Sequence, residues 1–267
     1  KIEVFGLDKG LEGSALVGGT GTEMQDDTAV TITLTGDQNK LPYFFLYGGS
    51  LATSIEYLDS IGLNPIYSFS AKFSAVSSLD LTGCFLDSNG NDCATLINWG
   101  DGTIDSNLTH TYSISGDYVV SVVCEDAFEI YVLGNTITEF YYALPIGLQR
   151  LDLSNNQIVD FNPNIPLPIG LQGLDLNGNQ IVDFNPNIPL PIGLQYLGLG
   201  NNQIVDFNPS IALPIGLQIL ELGVNQIVDF NPSIALPIGL QNLELGGNQI
   251  VDFNPSIALP IGLQYLY

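Results

Sequence analysis

From Leu148 to the end of the chain, a unit of 23 residues recurs five times in full and begins a sixth time at Leu263. The first unit reads LQRLDLSNNQIVDFNPNIPLPIG, and the later units differ from it at few positions. A fixed period in the range of roughly 20 to 50 residues predicts a solenoid, in which each unit buries its apolar face only against its neighbours. This half of the chain is therefore expected to be a stack of nearly identical units.

The invariant positions of the unit predict its core. Leucine occupies repeat positions 1, 4 and 6, asparagine position 9, isoleucine position 11 and phenylalanine position 14 of all five full units. We expect Leu151 and Leu153 to point inward, and Asn156 to bond backbone groups in the following turn. The prolines of FNPxIxLPIG predict a convex side with tight turns and no regular helix. The pattern LxxLxLxxNxIxxF resembles a leucine-rich repeat, which implies a leucine-rich-repeat solenoid.

The repeats vary mainly where a strand would face away from this core. Alternate side chains of a strand point to opposite sides, so positions 3, 5 and 7 should point outward when positions 4 and 6 point inward. We interpret this strand face as a ligand-binding surface. The alternative is sequence drift at positions that are free to change. The candidate ligand-binding residues are Arg150, Asp152, Asp175, Tyr196, Ile219, Glu221, Asn242, Glu244, Tyr265 and Tyr267.

An aspartate at repeat position 13 forms a second regular feature. Its carboxylates should stack at roughly the strand spacing of ~4.8 Å. We favour carboxylates that face water or cap the following turn, and a calcium-binding ladder is the alternative. The residues of this aspartate column are Asp160, Asp183, Asp206, Asp229 and Asp252.

Upstream, Ile97–Val123 contains a WGDGT turn, an HTY sequence and an alternating strand. Gly-Asp-Gly is hairpin-turn chemistry, Trp99 supplies a large core anchor, and Tyr118, Val120 and Val122 alternate as a half-buried strand should. This run resembles the polycystic-kidney-disease (PKD) type of immunoglobulin-like domain. The resemblance implies a β-sandwich over residues 65–126 that serves as a spacer or adhesion module on an exported protein.

Between these two regions lies a shortened unit. Ile130–Phe140 (IYVLGNTITEF) aligns with LDLSNNQIVDF, so Asn135, Ile137 and Phe140 take the places of the repeat's asparagine, isoleucine and phenylalanine. A degenerate first repeat predicts an N-terminal cap over residues 127–147 of a solenoid that spans 127–267. No such unit follows Tyr267, so we expect either a longer parent chain or a neighbouring copy to cover that edge.

Residues 1–64 are expected to form an N-terminal β-rich region or a docking arm. Thr28–Thr35 alternates as a strand, and the apolar run Leu41–Tyr47 is a candidate second strand. Ser50–Gly62 has apolar residues at the spacing of a short helix. The predicted fold is therefore mainly β, with a β-sandwich followed by a solenoid whose convex side is poor in helix.

The amino-acid composition limits the binding partners and the cellular location that we expect for the protein. The chain has 28 acidic residues against five Lys and Arg, a net charge of −23 at pH 7. Binding to nucleic acid or to an anionic membrane requires cationic side chains, so the negative net charge argues against both as partners. No apolar run approaches the length of a membrane helix. The chain starts without Met or a signal-like segment, so we expect a processed or trimmed protein. High acidity with little Lys suits a salty or calcium-rich exterior, and a requirement for solubility alone is the alternative explanation.

The cysteines, and the loop between Cys84 and Cys93, are candidates for a disulfide bond and for a calcium site. Cys84 and Cys93 would close a small disulfide loop if the protein is exported, which leaves Cys124 as a buried thiol. The loop between them has oxygen ligands at alternating places. It lacks the glycine at place six and the glutamate at place twelve of a calcium loop, so we favour a plain β-turn. The weak calcium candidates are Asp87, Asn89, Asn91 and Asp92.

Nothing in the sequence supports catalysis. The single histidine, His110, belongs to the HTY sequence, where we expect it to pack or bond at a strand start. No nucleophile has a recognisable partner, and no phosphate loop or zinc ligand set is present. Asp152 with Asp175, and Glu221 with Glu244, would be neighbouring carboxylates on an open face, without a cleft to raise the pKa of either. We interpret them as an acidic binding stripe and expect no enzyme and no cofactor other than calcium.

Two functions follow as hypotheses. The first is an extracellular, cell-surface or virion-surface adhesion module that reads a glycan or protein receptor on the strand face. By resemblance, its host would be a bacterial surface protein or a phage fibre. The second is a structural decoration or shaft protein that self-assembles, either through the uncapped C-terminal edge as a homo-oligomer or through the uniform NQIVD and LPIG flanks.

Overall fold

The computed structural model describes residues 2–4, 30–32, 68–134, 136–141, 144–161, 166–186, 188–251, 253 and 258–267. The chain divides into two compact units, Lys1–Ile66 and Tyr67–Tyr267. In the first unit, β1 (Ile2–Val4) pairs antiparallel with β2 (Val30–Ile32). Strand β2 confirms the strand predicted over Thr28–Thr35. The strand predicted over Leu41–Tyr47 and the helix predicted over Ser50–Gly62 lie outside the described residues.

The second unit is built from strands, and its described part contains no helix, as the prolines of the repeat predict. No helix of the described residues is long and apolar enough to cross a membrane. The strands of the upstream half are β3 (Phe69–Asp80), β4 (Phe85–Leu86), β5 (Leu96–Asn98), β6 (Ile104–Asp105), β7 (Thr109–Val123), β8 (Glu129–Tyr131) and β9 (Ile137–Tyr141). The strands of the repeats are β10 (Arg150–Asp152), β11 (Gly173–Asp175), β12 (Tyr196–Gly198), β13 (Ile219–Glu221), β14 (Asn242–Glu244) and β15 (Tyr265–Leu266).

The repeat strands form the parallel part of an eight-stranded sheet. Its order is β15-β14-β13-β12-β11-β10-β8-β4, and each repeat strand pairs with the next in register. In the five full units, the leucines at repeat position 4 pair with one another and are fully buried, as are those at position 6 up to Leu222. The prediction that these leucines point inward is confirmed, and the solenoid core is a set of apolar columns.

The asparagine at repeat position 9 joins each unit to the one before it. Asn202 donates from Nδ2 to the carbonyl oxygens of Leu199 and of Leu176 in the preceding unit. Its Oδ1 accepts the N–H of Ile181, also in the preceding unit. The same bonds recur at Asn179, Asn225 and Asn248. The predicted role of this asparagine is confirmed, and each amide also crosses the boundary between two units.

The return side is closed by phenylalanine stacking and by turns. The rings of Phe207 and Phe230 lie nearly parallel with centroids 6.4 Å apart. Before each strand, the N–H of the opening leucine donates to the carbonyl of the proline three residues earlier, for example Leu194 to Pro191. These bonds confirm the tight turns predicted for the LPIG segment.

The upstream half contributes a five-stranded antiparallel sheet of order β6-β5-β7-β3-β9. Trp99 is fully buried at the hairpin between β5 and β6, which confirms it as a core anchor. A Cβ at Gly100, where φ is +83°, would lie 2.6 Å from the carbonyl oxygen of Val119. At the start of β7, His110 stacks on Trp99 at 5.0 Å between centroids and bonds Asp101 from Nε2 at 2.9 Å. The prediction for His110 is therefore confirmed.

Strand pairing crosses the boundary expected between residues 126 and 127 in both directions. Strand β4, from the upstream half, pairs antiparallel with β8 and covers the N-terminal edge of the solenoid sheet. Strand β9, from the shortened repeat, pairs with β3 in the five-stranded sheet. Phe69 of β3 contacts the rings of both Phe85 and Phe140, so the two sheets share one core. A separate immunoglobulin-like sandwich of the PKD type is not confirmed.

The alignment of the shortened repeat agrees with the strand register. Ile130 pairs with Leu151, and the N–H of Ile137 donates to Asn156 Oδ1 as the N–H of Ile158 does to Asn179. Asn135, the predicted equivalent of Asn156, lies outside the described residues.

We expect Asn202→Ala to lower the free energy of unfolding by about 2 to 3 kcal/mol, because it leaves buried backbone groups in two units without partners. Urea denaturation followed by circular dichroism measures the effect. The control is Gln203→Ala, which truncates an exposed side chain one residue later. Equal stability of the two variants would contradict a structural role for the asparagine ladder.

Candidate ligand-binding strand face

The parallel register places the predicted ligand-binding residues in two rows across the sheet. The row at repeat position 3 runs through Arg150, Gly173, Tyr196, Ile219, Asn242 and Tyr265. The row at position 5 runs through Asp152, Asp175, Gly198, Glu221 and Glu244. Tyr267 extends the second row, since it exchanges backbone hydrogen bonds with Leu243 and Leu245. All ten predicted residues therefore lie on one side of one sheet.

The centre of this face is a hydrogen-bonded set that we name the tyrosine cluster: Asp175, Asn177, Tyr196 and Glu221. The Tyr196 hydroxyl donates to Glu221 Oε2 at 2.7 Å and lies 3.3 Å from Asp175 Oδ2. Asn177 Nδ2 donates to Glu221 Oε2 at 2.8 Å and to the Tyr196 oxygen at 3.0 Å. The cluster links three consecutive strands. Asp175 is the last residue of β11 and Asn177 follows that strand, while Tyr196 lies in β12 and Glu221 in β13.

Gly198 makes room for the tyrosine cluster. A Cβ at this position would lie 2.7 Å from the Tyr196 hydroxyl, 2.7 Å from Asn177 Nδ2 and 2.8 Å from Asp175 Oδ1. Contacts this short do not occur between real atoms, so a larger residue would displace the polar groups. The third unit combines glycine at position 5 with tyrosine at position 3. Because Gly198 has no side chain, the Tyr196 hydroxyl can lie between Asp175 and Glu221, the acids of the two neighbouring strands.

Burial in the tyrosine cluster changes the acidity of its members. Desolvation raises the pKa of Asp175 above its ordinary value of 3.8, and the nearby carboxylates of Asp152 and Glu221 add to the rise. Desolvation, with the bond to Glu221 and the charge of Asp175, also raises the pKa of Tyr196. The expectation that the open face raises no carboxyl pKa is wrong for Asp175, because burial desolvates this carboxyl.

The N-terminal end of the face is also internally paired. Arg150 Nη2 lies 3.7 Å from Asp152 Oδ2, and the guanidinium carbon lies 5.4 Å from the centre of the Tyr131 ring. Tyr131 donates from its hydroxyl to Glu129 Oε2 at 2.8 Å. Asp152 is buried, contrary to the outward exposure expected at position 5. Its Oδ1 accepts the backbone N–H of Ser154, so this carboxylate supports the turn after β10.

The C-terminal end of the face is open. Glu244 is exposed, and Tyr265 and Tyr267 are 49% and 68% exposed. The two tyrosine rings lie parallel, with centroids 6.0 Å apart. Ile219 and Asn242 are partly exposed between this end and the tyrosine cluster. The side chains available for direct contact with a ligand are therefore concentrated at this end.

The weak calcium candidates form a hydrogen-bonded turn. Asp87 Oδ1 accepts the backbone N–H groups of Asn89 and Asn91, and the Gly90 N–H donates to the Asp87 carbonyl. Asp92 Oδ1 accepts the N–H of Gly83 in a different turn. These bonds agree with the favoured β-turn. Within the described part of the chain, no group of three or more His, Cys, Asp or Glu side chains is arranged to hold a metal ion.

The aspartate column and the cysteines lie away from the strand face. The four described aspartates of the column, Asp160, Asp183, Asp206 and Asp229, are exposed, in agreement with carboxylates that face water. Cys84, Cys93 and Cys124 are free thiols. Cys124 is buried as predicted, and desolvation raises its pKa. Desolvation likewise raises the pKa of Cys84 to about 11, so this thiol is protonated at neutral pH.

Four residues that form hydrogen bonds on this face or make room for them were not predicted as site residues: Asn177, Gly198, Glu129 and Tyr131. Asn177 and Gly198 stood among the variable positions, and the joint occurrence of glycine at position 5 with tyrosine at position 3 was the available signal. Tyr131 lies in the shortened repeat, where the alignment placed it opposite Asp152, and the strand register places Glu129, just before the aligned segment, opposite Arg150.

We expect Gly198→Ala to break the tyrosine cluster and lower the free energy of unfolding by about 1 to 3 kcal/mol, because the new methyl group overlaps three polar atoms. Thermal denaturation measures the loss. Gly173→Ala is the matched control, since its Cβ would meet only Arg150 Cγ, at 3.6 Å. An equally small effect of both substitutions would show that the cluster is not rigid.

We expect Asp175→Asn to raise the melting temperature at pH 7. A carboxyl with a raised pKa binds its proton more tightly in the folded than in the unfolded chain, so its contribution favours folding at low pH and is lost as pH rises through the folded pKa. The gain from Asp175→Asn should therefore shrink as the pH falls toward 3.8, the ordinary value. Calorimetry at pH 5 and pH 7 measures this difference, with the exposed Asp206→Asn as control. A gain independent of pH would contradict the burial of this carboxyl.

Comparison with known proteins bears on the repeats. Residues 147–167 match the family model described as Leucine Rich Repeat. No curated protein matches the chain. Among solved structures, the chain is similar to YopM from Yersinia enterocolitica WA-314, with a TM-score of 0.39 and 24% identity over 54% of this chain. The match covers 33% of the YopM chain. The family-model match and the register of the sheet support a leucine-rich repeat solenoid.

Proposed function

We propose that the protein is an adhesion or receptor-binding module, displayed outside the cell or on a virion, whose solenoid binds a protein or glycan ligand on the strand face. One observation carries this proposal. Apart from one position in the turn after the strand and two on the return segment, the positions that vary between otherwise identical repeats fall in aligned rows on one side of one sheet, above a core and an asparagine ladder that do not vary. Solenoids commonly use extended surfaces of this kind for binding.

The chemistry of the face favours a ligand with cationic or hydroxyl groups. Among the described residues of its two rows, Arg150 is the only cation, and it already lies beside Asp152. The acids Glu221 and Glu244 lie in the half of the face that leads to the exposed tyrosines. A lysine- or arginine-bearing protein surface would complement these charges, and tyrosine rings also stack on the apolar faces of sugars.

The tyrosine cluster supports the proposal through rigidity. Tyr196 and Glu221 are already held by each other and by Asn177 before any ligand arrives. A surface that is ordered in advance loses less side-chain entropy on binding. We therefore assign the cluster to the floor of the site and Glu244, Tyr265 and Tyr267 to its direct contacts.

The test compares two variants that each remove two negative charges. The face variant is Glu221→Gln with Glu244→Gln, and the control variant is Asp206→Asn with Asp229→Asn in the exposed aspartate column. Binding of the full chain to a glycan array, a set of immobilised basic and acidic proteins, and cell surfaces is measured with and without calcium. We expect the face variant to bind at least about tenfold more weakly than wild type and the control variant to bind unchanged.

The arms of this experiment separate the ligand classes. Retention on proteins but not on glycans would identify a protein ligand, and the reverse result would identify a glycan. Loss of binding in both variants would mean that net charge, and not the strand face, drives the interaction. A folded wild-type chain that binds none of the surfaces would overturn the proposal.

A further inference from the structure

A row of exposed isoleucines runs along the side of the solenoid, away from the strand face. It consists of the isoleucine at repeat position 22 in the LPIG turn of every unit, including the shortened one. We name it the isoleucine ridge: Ile146, Ile169, Ile192, Ile215, Ile238 and Ile261. These residues are between 64% and 97% exposed. Apolar patches this regular are uncommon on monomeric proteins and mark sites of interaction.

The ridge is continuous because the turns that carry it stack tightly. A Cβ at Gly239 would lie 2.9 Å from the carbonyl oxygen of Ile215, and one at Gly216 would lie 3.1 Å from that of Ile192. Each turn therefore rests on the turn of the preceding unit. The isoleucines follow one another at about the strand spacing, ~4.8 Å.

The surroundings of the ridge are uncharged. Repeat positions 14 to 23 and positions 1 and 2 carry no charged residue in any full unit. The exposed neighbours along the chain are glutamine at position 2 and alanine or proline at position 19, and Gln172 donates from Nε2 to Gln149 Oε1 at 2.9 Å. In a protein with a net charge of −23, this side offers a surface on which another acidic molecule meets no carboxylate.

A second apolar row provides a contrast. The valines at position 12, such as Val182 and Val205, are 49% or more exposed in each unit. The next residue in each case is an aspartate of the exposed column, such as Asp183 or Asp206. Two copies of this chain would bring those carboxylates together if they met along the valine row. Contact along the valine row would therefore add repulsion between these carboxylates, which contact along the isoleucine ridge does not bring together.

We infer that the isoleucine ridge is the interface between two copies of this chain. The ridge offers six isoleucine side chains that are each at least 64% exposed, and a stable dimer buries about 800 Å² on each partner. A second copy also offers a row of the same period, so knobs of one ridge fit between those of the other along its full length. Antiparallel packing of the two ridges gives a closed, two-fold symmetric dimer, since each ridge then contacts an identical ridge and no ridge remains exposed.

This interface is independent of the proposed ligand-binding function. The strand face and the ridge share no residue, so substitutions in one leave the side chains of the other unchanged. Two copies of a weak site held in one particle bind a multivalent surface more tightly than a single copy does. The failure of either proposal therefore leaves the other standing.

The test is the association state of the full chain. Sedimentation velocity and light scattering are measured for wild type, for the ridge variant Ile192→Gln with Ile215→Gln, and for the matched control Val182→Gln with Val205→Gln. We expect wild type and the control to be dimers, and the ridge variant to dissociate with a dissociation constant raised roughly 100-fold. Unchanged circular dichroism and melting temperature show that the ridge variant remains folded, because these side chains lie outside the core.

Salt supplies a second readout. The dimer of two acidic chains should tighten as ionic strength rises, because screening reduces the repulsion between the copies while the apolar contact persists. A wild-type chain that stays monomeric at concentrations up to about 100 μM overturns the inference, since a stable dimer forms below that concentration. A ridge variant that dimerises as strongly as wild type overturns it as well.

Discussion

Each repeat ends its strand in a turn that leaves backbone N–H and carbonyl groups unpaired inside the solenoid, and one buried asparagine satisfies them for two units at once. Asn202 accepts an N–H from the preceding unit and donates to carbonyls of both units. An apolar residue would leave these groups without partners in a core made of leucine columns, at a cost of about 1 to 3 kcal/mol for each group. The register of the sheet, and therefore the position of every outward side chain, depends on this bond network.

A fixed register has a cost on the outward face, because residues at one repeat position are held close together in space. Acids at position 5 of neighbouring units repel each other, and the chain relieves this in two ways. Arg150 lies beside Asp152 at one end, and Tyr196 and Asn177 donate hydrogen bonds to the acids at the centre. Beyond the centre, the single acid of this row, Glu244, is exposed beside the terminal tyrosines. The face thus grades from an internally paired end to an open one.

The two sheets of the second unit are joined by exchange of strands. A parallel sheet that begins at β8 would leave an unpaired edge, and such edges invite pairing with other chains. Strand β4 covers the edge of the solenoid sheet, while β9 extends the five-stranded sheet beside β3. Phe69 packs between Phe85 and Phe140 at the shared core. Motion between the two sheets would break both pairings, so the five-stranded sheet and the solenoid sheet are coupled.

The sequence by itself determined the solenoid: its period, the inward leucines, the bonding role of the asparagine, the absence of helix on the described return side and the alignment of the shortened repeat. These follow from local rules that repeat in every unit, so five copies of the same pattern leave little freedom. The sequence also placed the outward residues on one face, because strand alternation is a local property. Only the tertiary structure decided the strand exchange with the upstream half and the conversion of Asp175, Asn177, Tyr196 and Glu221 into one bonded cluster. Both depend on contacts between residues far apart in the chain: a single repeat does not reveal that the glycine of one strand lets its tyrosine reach the acids of two others.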